Sequence, residues 1–90
     1  MSIPSPVAEG FTVYTKADCK YCGMVKELLE NEIVTYIPSN EFLDADRDAF
    51  LAFIESKGGK DHKTFPMVFY DGKFVGGLTD TLALMKKKYD

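Results

Sequence analysis

Apolar positions along this chain recur with two periods, and the switches between them mark its elements. Phe11–Thr15 is short, β-branched and aromatic, which is strand composition. From Cys22 to Asn31 the residue types favour helix, and Met24, Val25, Leu28 and Leu29 fall on one apolar stripe. Ile33–Ile37 returns to strand composition and is closed by Pro38, Ser39 and Asn40. Asp44 stands where a helix N-cap is wanted, ahead of Phe50, Leu51, Phe53 and Ile54 at helical spacing. Those four side chains read as core rather than as a binding groove. Gly58 and Gly59 follow Lys57, where a left-handed residue ends a helix. Met67–Tyr70 and Lys73–Gly76 are short runs separated by Asp71-Gly72, a pair that tolerates the positive φ both central positions of a tight hairpin require. A last helix begins at Thr79 or Asp80 and ends at Lys88, where Lys86, Lys87 and Lys88 complement its carbonyl end.

The sum is β-α-β-α-β-β-α, an α/β order that one four-stranded mixed sheet flanked by helices accommodates. No repeat, low-complexity tract or linker interrupts it. Residues 1–90 therefore read as a single domain, with residues 1–10 a short extended arm because of Pro4 and Pro6.

Composition narrows the function classes. Ninety residues, 46% of them hydrophobic, are enough for a core, so a disordered chain is not expected. Two cysteines are too few for a disulfide scaffold, and with the single histidine, His62, still too few for a four-ligand zinc cage. A net charge of −3 argues against nucleic acid or an anionic membrane as partner. The first ten residues have no basic region and no apolar stretch of secretory length, and no apolar run approaches the roughly 20 residues of a membrane span. The expected setting is a reducing cytosol, where free thiols persist.

Three segments carry candidate chemistry. Cys19-Lys20-Tyr21-Cys22 lies between the first strand and the first helix. Cys19 falls at the amino end of that helix, where free N–H groups and the dipole favour a thiolate, and Lys16 and Lys20 add positive charge nearby. Cys22, one turn on, is close enough to form a disulfide and less exposed. The expected roles are Cys19 as attacking nucleophile and Cys22 as resolving thiol. The competing reading, two buried small residues or half a metal site, is outweighed by the strand–motif–helix context. Thr64-Phe65-Pro66 precedes the hairpin. A cis Phe65–Pro66 bond would expose the Phe65 backbone to an extended ligand, whereas a trans proline opening a strand is the ordinary expectation from these residues alone. Gly76 and Gly77 lead into Thr79 and Asp80. Paired glycines permit close backbone approach, the helix start offers donors to a carboxylate, and Thr79 and Asp80 are candidate caps. His62 reads as a solvated loop residue rather than a catalytic base.

Taken together these motifs resemble those of the glutaredoxins, over nearly the whole chain from Phe11 to Tyr89. The anchors are Lys16 three residues before Cys19, the Cys19–Cys22 motif, Thr64-Phe65-Pro66, and Gly76-Gly77 before Thr79-Asp80. The resemblance implies a thioredoxin-like fold, a cis Pro66 facing the active site, and glutathione as co-substrate. It also implies a glutathione groove in which Lys16 and Tyr21 lie beside the tripeptide and Lys16 pairs with its glycine carboxylate. The Phe65 backbone would pair with the cysteinyl portion as an added strand does, Thr79 and Asp80 would hold the γ-glutamyl end, and Lys63 would be a further basic contact. Gly77 belongs to the same groove. The implied partners are glutathione and disulfide-containing proteins, of which ribonucleotide reductase is a familiar client of the family, and the chain is expected to be a monomer without a metal.

The sequence departs from the family's pattern in four respects, two of them a second helix without a polar match to the glutamine some members use on glutathione and a Gly58–Lys63 loop slightly longer than usual. Lys20 stands where many dithiol members have proline, and Phe65 where valine is common. Two other activities stay open at this point. One is a thioredoxin served by a flavoprotein reductase, against which stands the absence of tryptophan before Cys19. The other is a [2Fe–2S] cluster held between two subunits by the first cysteine and glutathione.

Overall fold

The computed structural model describes residues 2–89. Its elements run β1 (Phe11–Thr15), α1 (Lys20–Leu28), β2 (Val34–Pro38), α2 (Asn40–Ser56), β3 (Met67–Tyr70), β4 (Lys73–Gly76) and α3 (Leu78–Lys88). The four strands form one sheet in the order β2-β1-β3-β4. β1 pairs parallel with β2 and antiparallel with β3, and β3 pairs antiparallel with β4. The mixed sheet expected from the element order is the one that forms, and it is the thioredoxin-like arrangement.

Every residue of β1 is buried, as suits a strand paired on both edges and covered on both faces. Its side chains divide by parity. Phe11 and Val13 join Val25 of α1, Leu29 at its C-cap and Val68 of β3 in one cluster. Tyr14 points the other way, into a cluster with Phe50 and Ile54 of α2 and Met67 and Phe69 of β3. Phe50, Ile54, Met67 and Phe69 are each 0% exposed, and burying one such side chain contributes about 1.5–3 kcal/mol. The hairpin turn has both central residues at positive φ, Asp71 at 49° and Gly72 at 80°, as the Asp-Gly pair predicts.

Four expectations are corrected. Asp44 caps nothing. Helix α2 starts earlier, at Asn40, because Phe42 and Leu43 already pack against the core. It breaks at Asp46, whose backbone is extended and whose Oδ1 accepts from Ala49 N at 3.0 Å, so the cap lies two residues later and inside the helix. Met24 is not on the buried stripe but 42% exposed. Helix α3 starts at Leu78 with Gly77 as N-cap and no side-chain cap, so neither Thr79 nor Asp80 fills that role. Residues 2–7 have no regular secondary structure and residues 8–10 bend into β1; this arm is tied down, since Tyr14 Oη donates to Pro4 O at 2.5 Å and Val7 N to Thr12 Oγ1 at 2.9 Å.

Candidate active site

The site is assembled at the sheet end where β1 enters α1. Asp18 turns the chain with a positive φ of 55°, and Ala17 N donates to Asn40 Oδ1 at 2.9 Å, anchoring this loop to the start of α2. Cys19 is the N-cap of α1, and its Sγ accepts from Cys22 N at 3.2 Å. The two cysteines form a disulfide across a Cα–Cα distance of 5.3 Å, within the range that bridge geometry allows. They are not equivalent, since Cys22 is buried in the core cluster while Cys19 is half-buried at its edge. When the bond is reduced, a Cys19 thiolate sits where the first N–H groups of α1 point. Lys20 and Tyr21, the residues between the cysteines, are both exposed.

The Phe65–Pro66 peptide bond is cis, as the resemblance implied and as the residues alone did not. Phe65 is buried, its ring stacked on Phe50 at 5.8 Å, and Lys16 Nζ lies 5.7 Å from the centroid of that ring. Tyr21, Thr64, Phe65 and Pro66 line a groove of about 390 Å³ together with Gly77, Leu78, Thr79 and Asp80. Residues from α1, the loop before β3 and the start of α3, far apart in sequence, thus share one surface beside the disulfide.

The two glycines at the head of α3 have different reasons. Gly76 has φ +134°, and a Cβ there would overlap the Asp80 side chain. Its absence lets Asp80 fold back over the turn from β4 to α3. A Cβ on Gly77 would meet only ordinary contacts, His62 Cε1 at 3.6 Å and Pro66 O at 3.8 Å. Thr81, buried behind them, closes the first turn by donating from Oγ1 to Gly77 O at 2.7 Å.

His62 is a residue the sequence reading left out of the site. It is half-buried rather than solvated, it lines the groove, its Nε2 is 3.3 Å from Pro66 O, and its ring meets Phe74 edge-on at 5.1 Å. Nothing in the polar run Gly58–Lys63 signals this, because the contact depends on β4 bringing Phe74 beside the loop. Lys16 and Lys63 are both exposed and neither is among the groove-lining residues; the Lys16 ammonium lies beside the ring of Phe65, which is. Among the described residues no three His, Cys, Asp or Glu side chains form a group able to hold a metal ion.

A β-α-β unit followed by β-β-α, with a two-cysteine disulfide at the amino end of the first helix and a cis-proline ahead of the hairpin, defines a dithiol protein of the thioredoxin-like fold. The glutaredoxin family model matches residues 11–75. The chain is 38% identical over 74 residues to glutaredoxin 1 of Rickettsia typhi, covering 80% of this chain and 66% of that one. It superposes on glutaredoxin 1 of Francisella tularensis, in complex with cacodylate, with a TM-score of 0.72 and 25% identity, covering 88% of this chain and 94% of that one. On a buckwheat glutaredoxin–glutathione complex the TM-score is 0.65 with 28% identity, covering 87% of this chain and 69% of that one. The chain belongs to the glutaredoxin family. It spans between 44% and 82% of the length of eight curated relatives.

Proposed function

We propose that the protein is a glutathione-dependent thiol–disulfide oxidoreductase, acting on protein disulfides and glutathione mixed disulfides where thiols are kept reduced. The observation that carries this reading is the disulfide between a helix-capping Cys19 and a buried Cys22, beside a groove that includes a cis-proline and a helix start. In the reaction, Cys19 thiolate attacks one sulfur of a protein disulfide and the other sulfur leaves as thiolate. Cys22 thiolate then attacks Cys19 Sγ, forming the Cys19–Cys22 disulfide and releasing the second substrate thiolate. Two electrons pass from the dithiol to the substrate. Glutathione thiolate next attacks Cys19 Sγ and frees Cys22. A second glutathione attacks the bound glutathione sulfur, restoring Cys19 thiolate and leaving as glutathione disulfide. A glutathionylated substrate needs Cys19 alone.

Glutathione fits the groove by chemistry. Its γ-glutamyl carboxylate goes to the N–H groups at the start of α3, beside Thr79, and its amine to Asp80. The cysteinyl portion pairs with the backbone of Phe65, and the glycine carboxylate lies toward Lys16. The buckwheat relative solved as a glutathione complex supports the choice of ligand. A glutathione-coupled assay on a small mixed disulfide tests the assignment. Cys19→Ser is expected to lose activity on both substrate classes, and Cys22→Ser to lose protein-disulfide reduction while keeping deglutathionylation. Equal activity of the two single variants overturns the division of roles, and turnover only with a thioredoxin reductase overturns the dependence on glutathione.

A further inference from the structure

Lys16 has no carboxylate partner among the described contacts; the group beside it is an aromatic face. Its ammonium lies 5.7 Å from the Phe65 ring centroid, inside the distance at which a cation is attracted by a ring quadrupole. That ring cannot turn away. It is buried and stacks on Phe50 at 5.8 Å with an interplanar angle of 21°, and Phe50 in turn stacks on Phe42 at 6.1 Å and 8°. The result is a series of contacts, Phe42–Phe50–Phe65–Lys16, that starts in the first turn of α2 and ends in a positive charge beside Phe65, the member of the series that lines the groove. The hydrogen bond from Ala17 N to Asn40 Oδ1 fixes the backbone next to Lys16 to the same helix.

We propose that Phe65 is a positioning residue for Lys16: its stacked ring holds the lysine ammonium at the groove, ready for the carboxylate of an incoming glutathione. This rests on the function proposed above. A lysine side chain loses up to about 2 kcal/mol of rotamer freedom when it is ordered. The ring takes up part of that cost before the ligand arrives, which is preorganisation. A side chain without a π-face offers Lys16 no such seat, and the ligand must then order the lysine itself. The effect belongs to recognition of the glutathione portion and not to the exchange chemistry at sulfur.

The test is a double-mutant cycle on the full chain, with Phe65→Leu, Lys16→Ala and the double variant, read as KM for a glutathione mixed disulfide. Phe65→Val serves as a second replacement should the leucine variant fold poorly. A cation–π contact of this kind corresponds to about a two- to five-fold rise in KM for Phe65→Leu, with kcat little changed. The double variant is expected to be no worse than Lys16→Ala, because both changes remove one interaction. A readout independent of glutathione is the NMR shift of the Lys16 ε-methylene, which the Phe65 ring moves upfield in the wild type and releases in Phe65→Leu and Phe65→Val. Multiplying KM effects, an unchanged KM in the Phe65 variants, or a wild-type methylene at its free-lysine position each overturn the proposal. If no variant and no wild type turns over glutathione substrates, the function proposed above fails instead, and the NMR comparison alone decides whether Phe65 seats Lys16.

Discussion

Single residues at this site act through what their neighbours allow. Gly76 and Gly77 are adjacent and look alike in the sequence, yet only Gly76 combines a positive φ with a side chain packed where its Cβ would be. Gly76→Ala is therefore expected to destabilise by at least about 1 kcal/mol, a fall in Tm of roughly 4–8 °C for a domain of this size. Gly77→Ala places its methyl in ordinary contact with His62 and Pro66 O, at the lining of the groove. Its Tm is expected to stay within about 2 °C of wild type while KM for a glutathione mixed disulfide rises. Thermal melts of the two variants check the contrast; equal loss of stability would mean that the conformational distinction between the two glycines is wrong. His62 teaches the converse lesson. Its neighbours Phe74 and Pro66 O come from other segments, so its place in the groove is a property of the fold and was not legible at residue 62.

At the scale of elements, most of the fold could be read from local pattern. All four strands and three helices were anticipated, and the Asp71-Gly72 hairpin was anticipated down to its turn, because each depends on periodicity or on turn residues within a few positions. The errors lie where tertiary packing overrides local signals. Asp44 is as good a cap as Asp46 by type, but Phe42 and Leu43 need to be helical to reach the core, so the chain is committed to helix before Asp44. Asp46 then carries the cap of the second segment through its bond to Ala49 N. Asp46→Ala is expected to cost about 0.5–2 kcal/mol in urea unfolding and Asp46→Asn much less, while Asp44→Ala should be near neutral. The cis Phe65–Pro66 bond is a further case. Residue types alone favour trans, and only the resemblance to the glutaredoxins implied cis.

For the molecule as a whole, the Tyr14 phenol is one of the ties that join the core to the N-terminal arm, beside the Val7–Thr12 hydrogen bond and the packing of Ile3. Tyr14 sits in the centre of the α2-side cluster, edge-on to Phe50, Phe53 and Phe69, and its hydroxyl reaches out to Pro4 O. Burial pushes the Tyr14 phenol up to about 12. The folded state holds that proton more tightly than the unfolded chain, so its contribution to stability is complete below the ordinary tyrosine pKa of about 10 and is lost as pH rises from there through about 12. Urea unfolding on either side of pH 10 should show a steeper alkaline decline for wild type than for Tyr14→Phe, and parallel curves would contradict the assignment.

The same core that buries Tyr14 holds Cys22 in and leaves Cys19 at the edge, and this asymmetry is the centre of the account. It is tested most directly by treating reduced Cys22→Ser and Cys19→Ser proteins with glutathione disulfide and locating the adduct by mass spectrometry. The account predicts one glutathione on Cys19 in the Cys22→Ser protein, released again by excess glutathione, and slow or no modification of Cys22 in its counterpart. An unmodified Cys19, or equal labelling of the two cysteines, would contradict it.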